Sequence, residues 1–283
     1  MMIKNNKSID HEGIRGNYDD SSIIIFGVPF DGTASYRPGT RFGPQYLKQE
    51  LNGIETYSPY LDKDLIDYKI CDSGDMPFNF GSVESILSSI KANTREILSD
   101  NKKTVAIGGE HLVTLPIVEA YLEKYPGLHV IHLDAHTDLR DEFMGENLSH
   151  ATVMRRIFEQ MKGRLWQFGI RSGTGAEFSF ARENIDFYPF SLDGMEKPRE
   201  ALGLEPVYLT IDIDVLDPSI MPGTGTPEAG GVTFRELLDG LLKLNGLNIV
   251  GADIVELSPH YDHSGVSTAA ACKVLREVLL MMV

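Results

Sequence analysis

Cysteine is scarce in this chain. Only Cys71 and Cys272 occur among 283 residues. Two thiols without C-x-x-C spacing give neither a disulfide framework nor a thiolate metal site, and a reducing compartment is the expected setting. Long apolar runs are missing too. The longest span about ten residues and are broken by Gly, Pro or charge, well short of the ~20 that a membrane helix needs. The opening stretch MMIKNNKSIDHEG has no apolar core of a secretion signal, so a cytoplasmic location is expected. Positive charge is in deficit, with 26 Lys and Arg against 41 Asp and Glu and a formal charge of −15. A chain of that sign is a poor partner for phosphate backbones or anionic lipid, which argues against nucleic acid and membrane as partners. The acidity names no ligand by itself, because solubility alone accounts for it. No internal repeat or low-complexity linker interrupts the sequence. Hydrophobic residues at 42% and charged residues at 24% are ordinary for a globular protein, which argues against disorder, collagen and coiled coil.

What is present is an alternation of strand and helix patterns. Continuous apolar runs predict strands at Ser22–Phe30, Tyr68–Cys71, Lys103–Gly109, His129–Asp134, Leu165–Ile170, Asp186–Phe190, Pro206–Asp214 and Leu247–Leu257. Helical spacing predicts helices at Ser82–Ser99, Leu112–Lys124, His150–Met161, Thr233–Leu244 and Gly265–Met282. Thr233 and Glu236 form a capping box, and Ser267 is the capping candidate for the last helix. Tyr36–Pro44, punctuated by Gly and Pro, is expected as loop. Residues 1–20 are polar and expected to fray or act as an arm. Strands that are apolar throughout suit a parallel sheet covered on both faces, so residues 1–283 are expected to form one α/β domain. A TIM barrel is the competing architecture, since periodicity does not distinguish open from closed sheets.

The chemistry-bearing residues lie at the carboxyl ends of predicted strands, where parallel α/β sheets bind ligands. They fall in four segments: Gly108-Gly109-Glu110-His111, Asp134-Ala135-His136-Thr137-Asp138, Asp212-Ile213-Asp214, and Glu256. The spacing of Asp134, His136 and Asp138 puts all three on one face of an extended backbone. Three polar groups there are costly to bury without a partner. Asp212 and Asp214 repeat the pattern, and a shared cation would relieve their repulsion. Taken singly, each of these groups has a plain structural explanation, such as a capped or core histidine or a solvated strand end. Together, four carboxylates and two imidazoles exceed the four ligands of a structural zinc and suit two divalent ions bridged by carboxylates. Oxygen-rich ligation with imidazole favours Mn²⁺, with Fe²⁺, Co²⁺ or Zn²⁺ also open.

The stretches GGEH (108–111), DAHTD (134–138), SHAT (149–152), TIDIDVLDP (210–218), GTGTPEAGG (223–231) and ADIVE (252–256) resemble those of the ureohydrolase family of arginases, agmatinases and their relatives. The resemblance follows the family's order over most of the chain. It implies an arginase-like three-layer α/β/α fold, with about eight mostly parallel strands and helices on both faces. It also implies two Mn²⁺ per subunit, other divalent ions being able to substitute. His111, Asp134, Asp138 and Asp212 would hold one ion, and His136, Asp134, Asp212 and Asp214 the other. His150 would be the catalytic proton shuttle, and Glu256 the anchor for a small cationic guanidino substrate attacked by a bridging hydroxide. A homo-oligomer, trimer or hexamer, is implied as well.

Within that family the wording SHATVMRR and FGIRSG is most like the bacterial agmatinases. Ser172-Gly173-Thr174-Gly175 lacks the carboxylate that arginases place there for an α-ammonium. The loop Leu139–Leu148 carries Arg140 against Asp141, Glu142 and Glu146, which suits a substrate ending in a free ammonium. Agmatine, split to putrescine and urea in polyamine biosynthesis, is therefore the expected substrate. A guanidinobutyrase or arginase-like activity is the alternative. A non-catalytic metal-binding relative and a zinc amide hydrolase on the deacetylase fold are lesser ones. Glu228 is expected either to support the site or to be solvated.

Overall fold

Apolar, β-branched runs become the strands of one sheet in the computed structural model, which describes residues 3–77 and 81–283. The strands are β1 (Ile23–Val28), β2 (Tyr57–Ser58), β3 (Lys63–Asp64), β4 (Ile70–Asp75), β5 (Lys103–Gly108), β6 (His129–Leu133), β7 (Leu165–Phe168), β8 (Asp186–Tyr188), β9 (Pro206–Asp212) and β10 (Asn248–Val255). β2 and β3 form a small antiparallel ribbon. The other eight make one sheet in the order β4-β1-β5-β10-β9-β6-β7-β8, every neighbouring pair parallel. β4 and β8 are the two edge strands and do not pair with each other, so the sheet is open and the barrel alternative is excluded.

Successive strand residues point to opposite faces, and both faces are covered. Ile23 and Ile25 pack with Leu47, Leu237, Leu241 and Leu275 on one side. Ile24 and Phe26 pack with Ile90, Val118, Tyr121 and Ile157 on the other. The helices are α1 (Gly43–Glu50), α2 (Val83–Ser99), α3 (Thr114–Lys124), α4 (Val153–Gln160), α5 (Gly175–Asn184), α6 (Lys197–Leu202), α7 (Phe234–Lys243) and α8 (Val266–Met282). The three-layer α/β/α arrangement follows. Among the described residues no helix is long and apolar enough to cross a membrane.

Several local expectations change. Part of the expected loop at Tyr36–Pro44 is helical, because Pro44 stands at the start of α1, where its missing N–H costs nothing. Thr174 opens α5 through a capping box with Glu177, an unread T-x-x-E signature. Thr233 and Glu236 do form their box. Ser267 caps nothing: α8 starts after Gly265, and the Asp262 carboxylate accepts the Ser267 N–H at 2.7 Å. The N-terminal segment is anchored rather than frayed, apart from Met1 and Met2, which lie outside the described residues. Ile3 and Ile14 are buried, Ile9 bridges to Asp72, and His11 Nε2 meets the Asp72 carboxylate at 2.8 Å.

The topology decides where function gathers. β5, β10, β9 and β6 are adjacent in the sheet, and their carboxyl ends carry His111, Glu256, Asp212 and Asp134 respectively. Gly109 lets the first of these turns close. A Cβ there would lie 1.9 Å from the Phe30 carbonyl oxygen, a backbone atom with no room to move. Gly109→Ala should therefore destabilise the chain by at least about 1–3 kcal/mol in denaturant unfolding. Gly127→Ala, whose Cβ meets nothing within 4 Å, should change stability by less than about 1 kcal/mol.

Candidate metal centre and active site

The six metal-ligand candidates do converge, though not by the pleat. β6 ends at Leu133, so Asp134, His136 and Asp138 follow the strand in a turn. Asp134 Oδ1 accepts the backbone N–H of His136 at 2.5 Å. Asp138 takes a left-handed conformation at φ 51°, and its carbonyl accepts the Met154 and Arg155 N–H groups that open α4. Asp212 closes β9, and its carboxylate accepts the Asp214 N–H at 2.8 Å in the following turn. The extended backbone expected here is thus replaced by another geometry: the side chains are aimed by short turns closed on their own carboxylates.

His111 is 1% exposed, and its Nδ1 stands 3.1 Å from Asp134 Oδ2, 3.2 Å from Asp138 Oδ2 and 3.4 Å from Asp212 Oδ2. It is aligned for a hydrogen bond with none of them. His136 Nδ1 lies 3.1 Å from Asp214 Oδ2 and 3.4 Å from Asp134 Oδ1. Asp134 thus faces His136 with Oδ1 and His111 with Oδ2. The electrostatics are those of a cluster short of positive charge. Burial, then the charge of Asp134, pushes the Asp138 carboxyl up to about 7. Burial, then the charges of Asp214 and Asp134, pushes Asp212 well above the carboxylate range. Burial disfavours charge on His111 and His136, but the carboxylates around them outweigh it and raise both. The donor set, the unpartnered nitrogen and the crowded carboxylates all fit a divalent-cation site.

His132 was not singled out by sequence. Its Nε2 is 2.8 Å from Asp134 Oδ2, close enough to count among the potential ligands. Hydrogen-bond direction argues otherwise. The Gln167 amide nitrogen donates to the Thr137 carbonyl at 2.7 Å, so it also donates to His132 Nδ1 at 3.0 Å. His132 Nε2 then carries the proton and donates it to Asp134. The signal was available, since His132 precedes Asp134 by two positions and shares its face of the sheet.

A cavity of about 240 Å³ opens over the cluster, lined among others by His136, Asp138, Asp212, His150, Glu256 and Glu177. The His150 backbone N–H donates to Thr33 Oγ1 at 3.2 Å, and its Nε2 meets Ser35 Oγ at 3.2 Å. Burial and the neighbouring His136 hold its imidazole down to about 4. Glu256, at φ 66°, donates its N–H to the Gly109 carbonyl and accepts the His111 N–H at 2.8 Å. Burial and nearby Glu110 push its carboxyl well up.

The acidic-loop expectation does not hold at the cavity. Asp141, Glu142 and Glu146 do not line it, and Asp141 is instead paired with Arg156 at 2.6 Å. The loop contributes Arg140 and Phe143. The carboxylate that does reach the wall is Glu177, two positions beyond Ser172–Gly175. It accepts Thr137 Oγ1–H at 2.6 Å, and Arg140 Nε lies 3.6 Å away. At position 228 the group in use is the carbonyl, which accepts from the Arg171 guanidinium at 2.8 Å.

Comparison with known proteins places these residues in context. The model of the arginase family matches residues 21–281. An agmatinase of Bacillus cereus is 46% identical over 269 residues, 93% of either chain. One from Bacillus subtilis is 45% identical over 94% of this chain and 93% of its own. The solved structure of an agmatinase candidate from Clostridium difficile superposes with a TM-score of 0.91 at 51% identity, covering 94% of this chain and 98% of that one.

An ion that binds only the folded state stabilises by about 2.7 kcal/mol at a hundred times its Kd. Divalent ions titrated into the metal-free chain should accordingly raise its melting temperature. Asp134→Asn, which weakens the carboxylate shared by both imidazoles, should abolish most of that rise in thermal scans.

Proposed function

The chain belongs to the arginase family, and from that premise we propose that it hydrolyses agmatine to putrescine and urea at a two-ion centre. The observation that carries this reading is the buried His111 Nδ1, which faces three carboxylates without a hydrogen bond, two of which, Asp138 and Asp212, line a cavity together with His150 and Glu256. His111, Asp134, Asp138 and Asp212 would hold one ion. His136, Asp134, Asp212 and Asp214 would hold the second, with Asp134 and Asp212 shared. Two Mn²⁺ per subunit suit this mixture of carboxylate and imidazole. When bound, divalent ions supply Lewis acidity and a hydroxide nucleophile near neutral pH.

The remaining work falls to the chain's own side chains. A guanidinium is a planar donor fork that stays charged at neutral pH, and a carboxylate accepts it bidentately. Glu256 is the wall carboxylate placed for that role. Water adds to the guanidinium carbon, and the bond from that carbon to the alkyl nitrogen breaks. The departing nitrogen must gain a proton as it leaves. His150 is held neutral by its surroundings, so its imidazole can take the proton given up by water and pass it to that nitrogen. Urea and a primary amine are the products. Ser35 and Thr33 keep the ring in place.

Agmatine as substrate rests on the agmatinase names borne by relatives at 45–46% identity across nearly the whole chain. A single sheet drawing strands from Ile23 to Val255 supports treating residues 1–283 as one catalytic domain. A homo-oligomeric assembly, a cytoplasmic setting and a part in putrescine formation complete the reading. Both cysteines are buried and unpaired, consistent with a reducing compartment.

Protein loaded with Mn²⁺ should release urea from agmatine far faster than from arginine or 4-guanidinobutanoate. Equal or reversed rates would overturn the substrate. His150→Ala should lower kcat by about 10²–10⁴-fold, while metal analysis still finds both ions bound.

A further inference from the structure

Beneath the metal cluster runs a row of buried polar side chains that the reaction itself does not use. In the sheet register His132 on β6 is paired with Thr210 on β9, and Thr210 with Asp253 on β10. All three are completely buried. The same strands turn Val130 and Val255 into the apolar packing on this side, so a carboxylate here needs an explanation. Hydrogen-bond direction supplies one.

Asp253 lies between two hydroxyls. Tyr208 O–H donates to its Oδ2 at 2.7 Å, and Thr210 Oγ1–H donates to its Oδ1 at 2.6 Å. A hydroxyl has a single hydrogen, so Thr210 Oγ1 has only lone pairs left for its other neighbour. That neighbour is His111 Nε2, at 2.9 Å. Nε2 must therefore carry a hydrogen and donate it. In a neutral imidazole the lone pair then resides on Nδ1, the nitrogen that stands 3.1–3.4 Å from Asp134, Asp138 and Asp212. We propose that Asp253, acting through Thr210, is a positioning residue that fixes the tautomer and ring orientation of His111, so that a bare Nδ1 faces the carboxylate cluster. The opposite tautomer would aim an N–H at the ion position and require of Thr210 a second hydrogen that it lacks. Outer partners of this kind typically change metal affinity about 10–100-fold when lost.

The inference rests on the two-ion reading above, and its test separates the two. Thr210→Val keeps the volume and removes the hydroxyl. Thr210→Ser keeps the hydroxyl, and Asp253→Asn weakens the acceptor that orders it. Each protein is stripped of metal, checked for an unchanged far-ultraviolet circular dichroism spectrum, and titrated with Mn²⁺ under electron paramagnetic resonance. Wild type should take up two ions. In Thr210→Val one step should weaken about 10–100-fold while the other stays as in wild type. Asp253→Asn should weaken the same step, and Thr210→Ser should restore it. Two unaltered steps in Thr210→Val would overturn the relay and leave the metal site standing. An equal loss in both steps, or no recovery in Thr210→Ser, would also overturn it. A wild-type chain that binds no ion overturns the two-ion reading itself.

Discussion

Repulsion among carboxylates at one sheet edge is the constraint around which this protein is organised. Asp134, Asp138, Asp212, Asp214 and Glu256 are all at most 7% exposed, and each sits near at least one other. Charges a few ångströms apart in a protein interior interact far more strongly than in water. The carboxylates around them raise His111 and His136, while burial of Asp134 is outweighed by His132, His111 and His136, which together hold its carboxyl well below the usual range. Divalent cations would take over that role and return the imidazoles to their neutral, ligating form. The fold must therefore hold a charge-deficient cluster rigid enough that it neither opens to water nor collapses before the ions arrive.

Rigidity comes from the four central strands. β5, β10, β9 and β6 stand side by side, and both faces beneath the cluster are packed with helices. Two residues at the edge accept left-handed backbone without being glycine, Asp138 at φ 51° and Glu256 at φ 66°. Such conformations cost on the order of 1–3 kcal/mol and persist only where neighbours over-determine them. Both are so tied. The Asp138 carbonyl accepts two N–H groups from the start of α4, and Glu256 is bound to Gly109 through its backbone and to the His111 N–H through its carboxylate. The strained residues are thus held by the start of α4 and by the end of β5, elements that the packing of the whole sheet keeps in place.

The candidate cluster was legible in the sequence because acids and histidines directly after apolar runs have few structural explanations when they recur at several strand ends. The alternation of runs likewise gave all eight strands of the main sheet. What escaped was information that only tertiary structure carries. The openness of the sheet depends on which strands become edges, and strand periodicity is silent on that. The helix α1 starts with Gly43 and Pro44, residues that read locally as loop. His132 escaped because a lone histidine inside an apolar strand gives no local sign of Gln167, its partner on the neighbouring strand. The loop acids misled for the complementary reason. Net charge of a segment says nothing of which side chains turn inward, and Asp141 turns out to Arg156.

That contrast divides the site into a floor and a rim with different physics. The floor is set by strand ends and by buried hydrogen-bond rows one pleat below them, Thr210 beneath Asp212 and His132 beneath Asp134. Directionality there is unforgiving, since each buried hydroxyl or imidazole has one proton to place and no water to exchange it with. The rim is set by turns: Arg140 and Phe143 from one, Ser172 and Gly173 from another, and Glu177 from the first turn of α5. Glu177 joins the two, since it lies beside Arg140 at the rim and accepts the Thr137 Oγ1–H between His136 and Asp138.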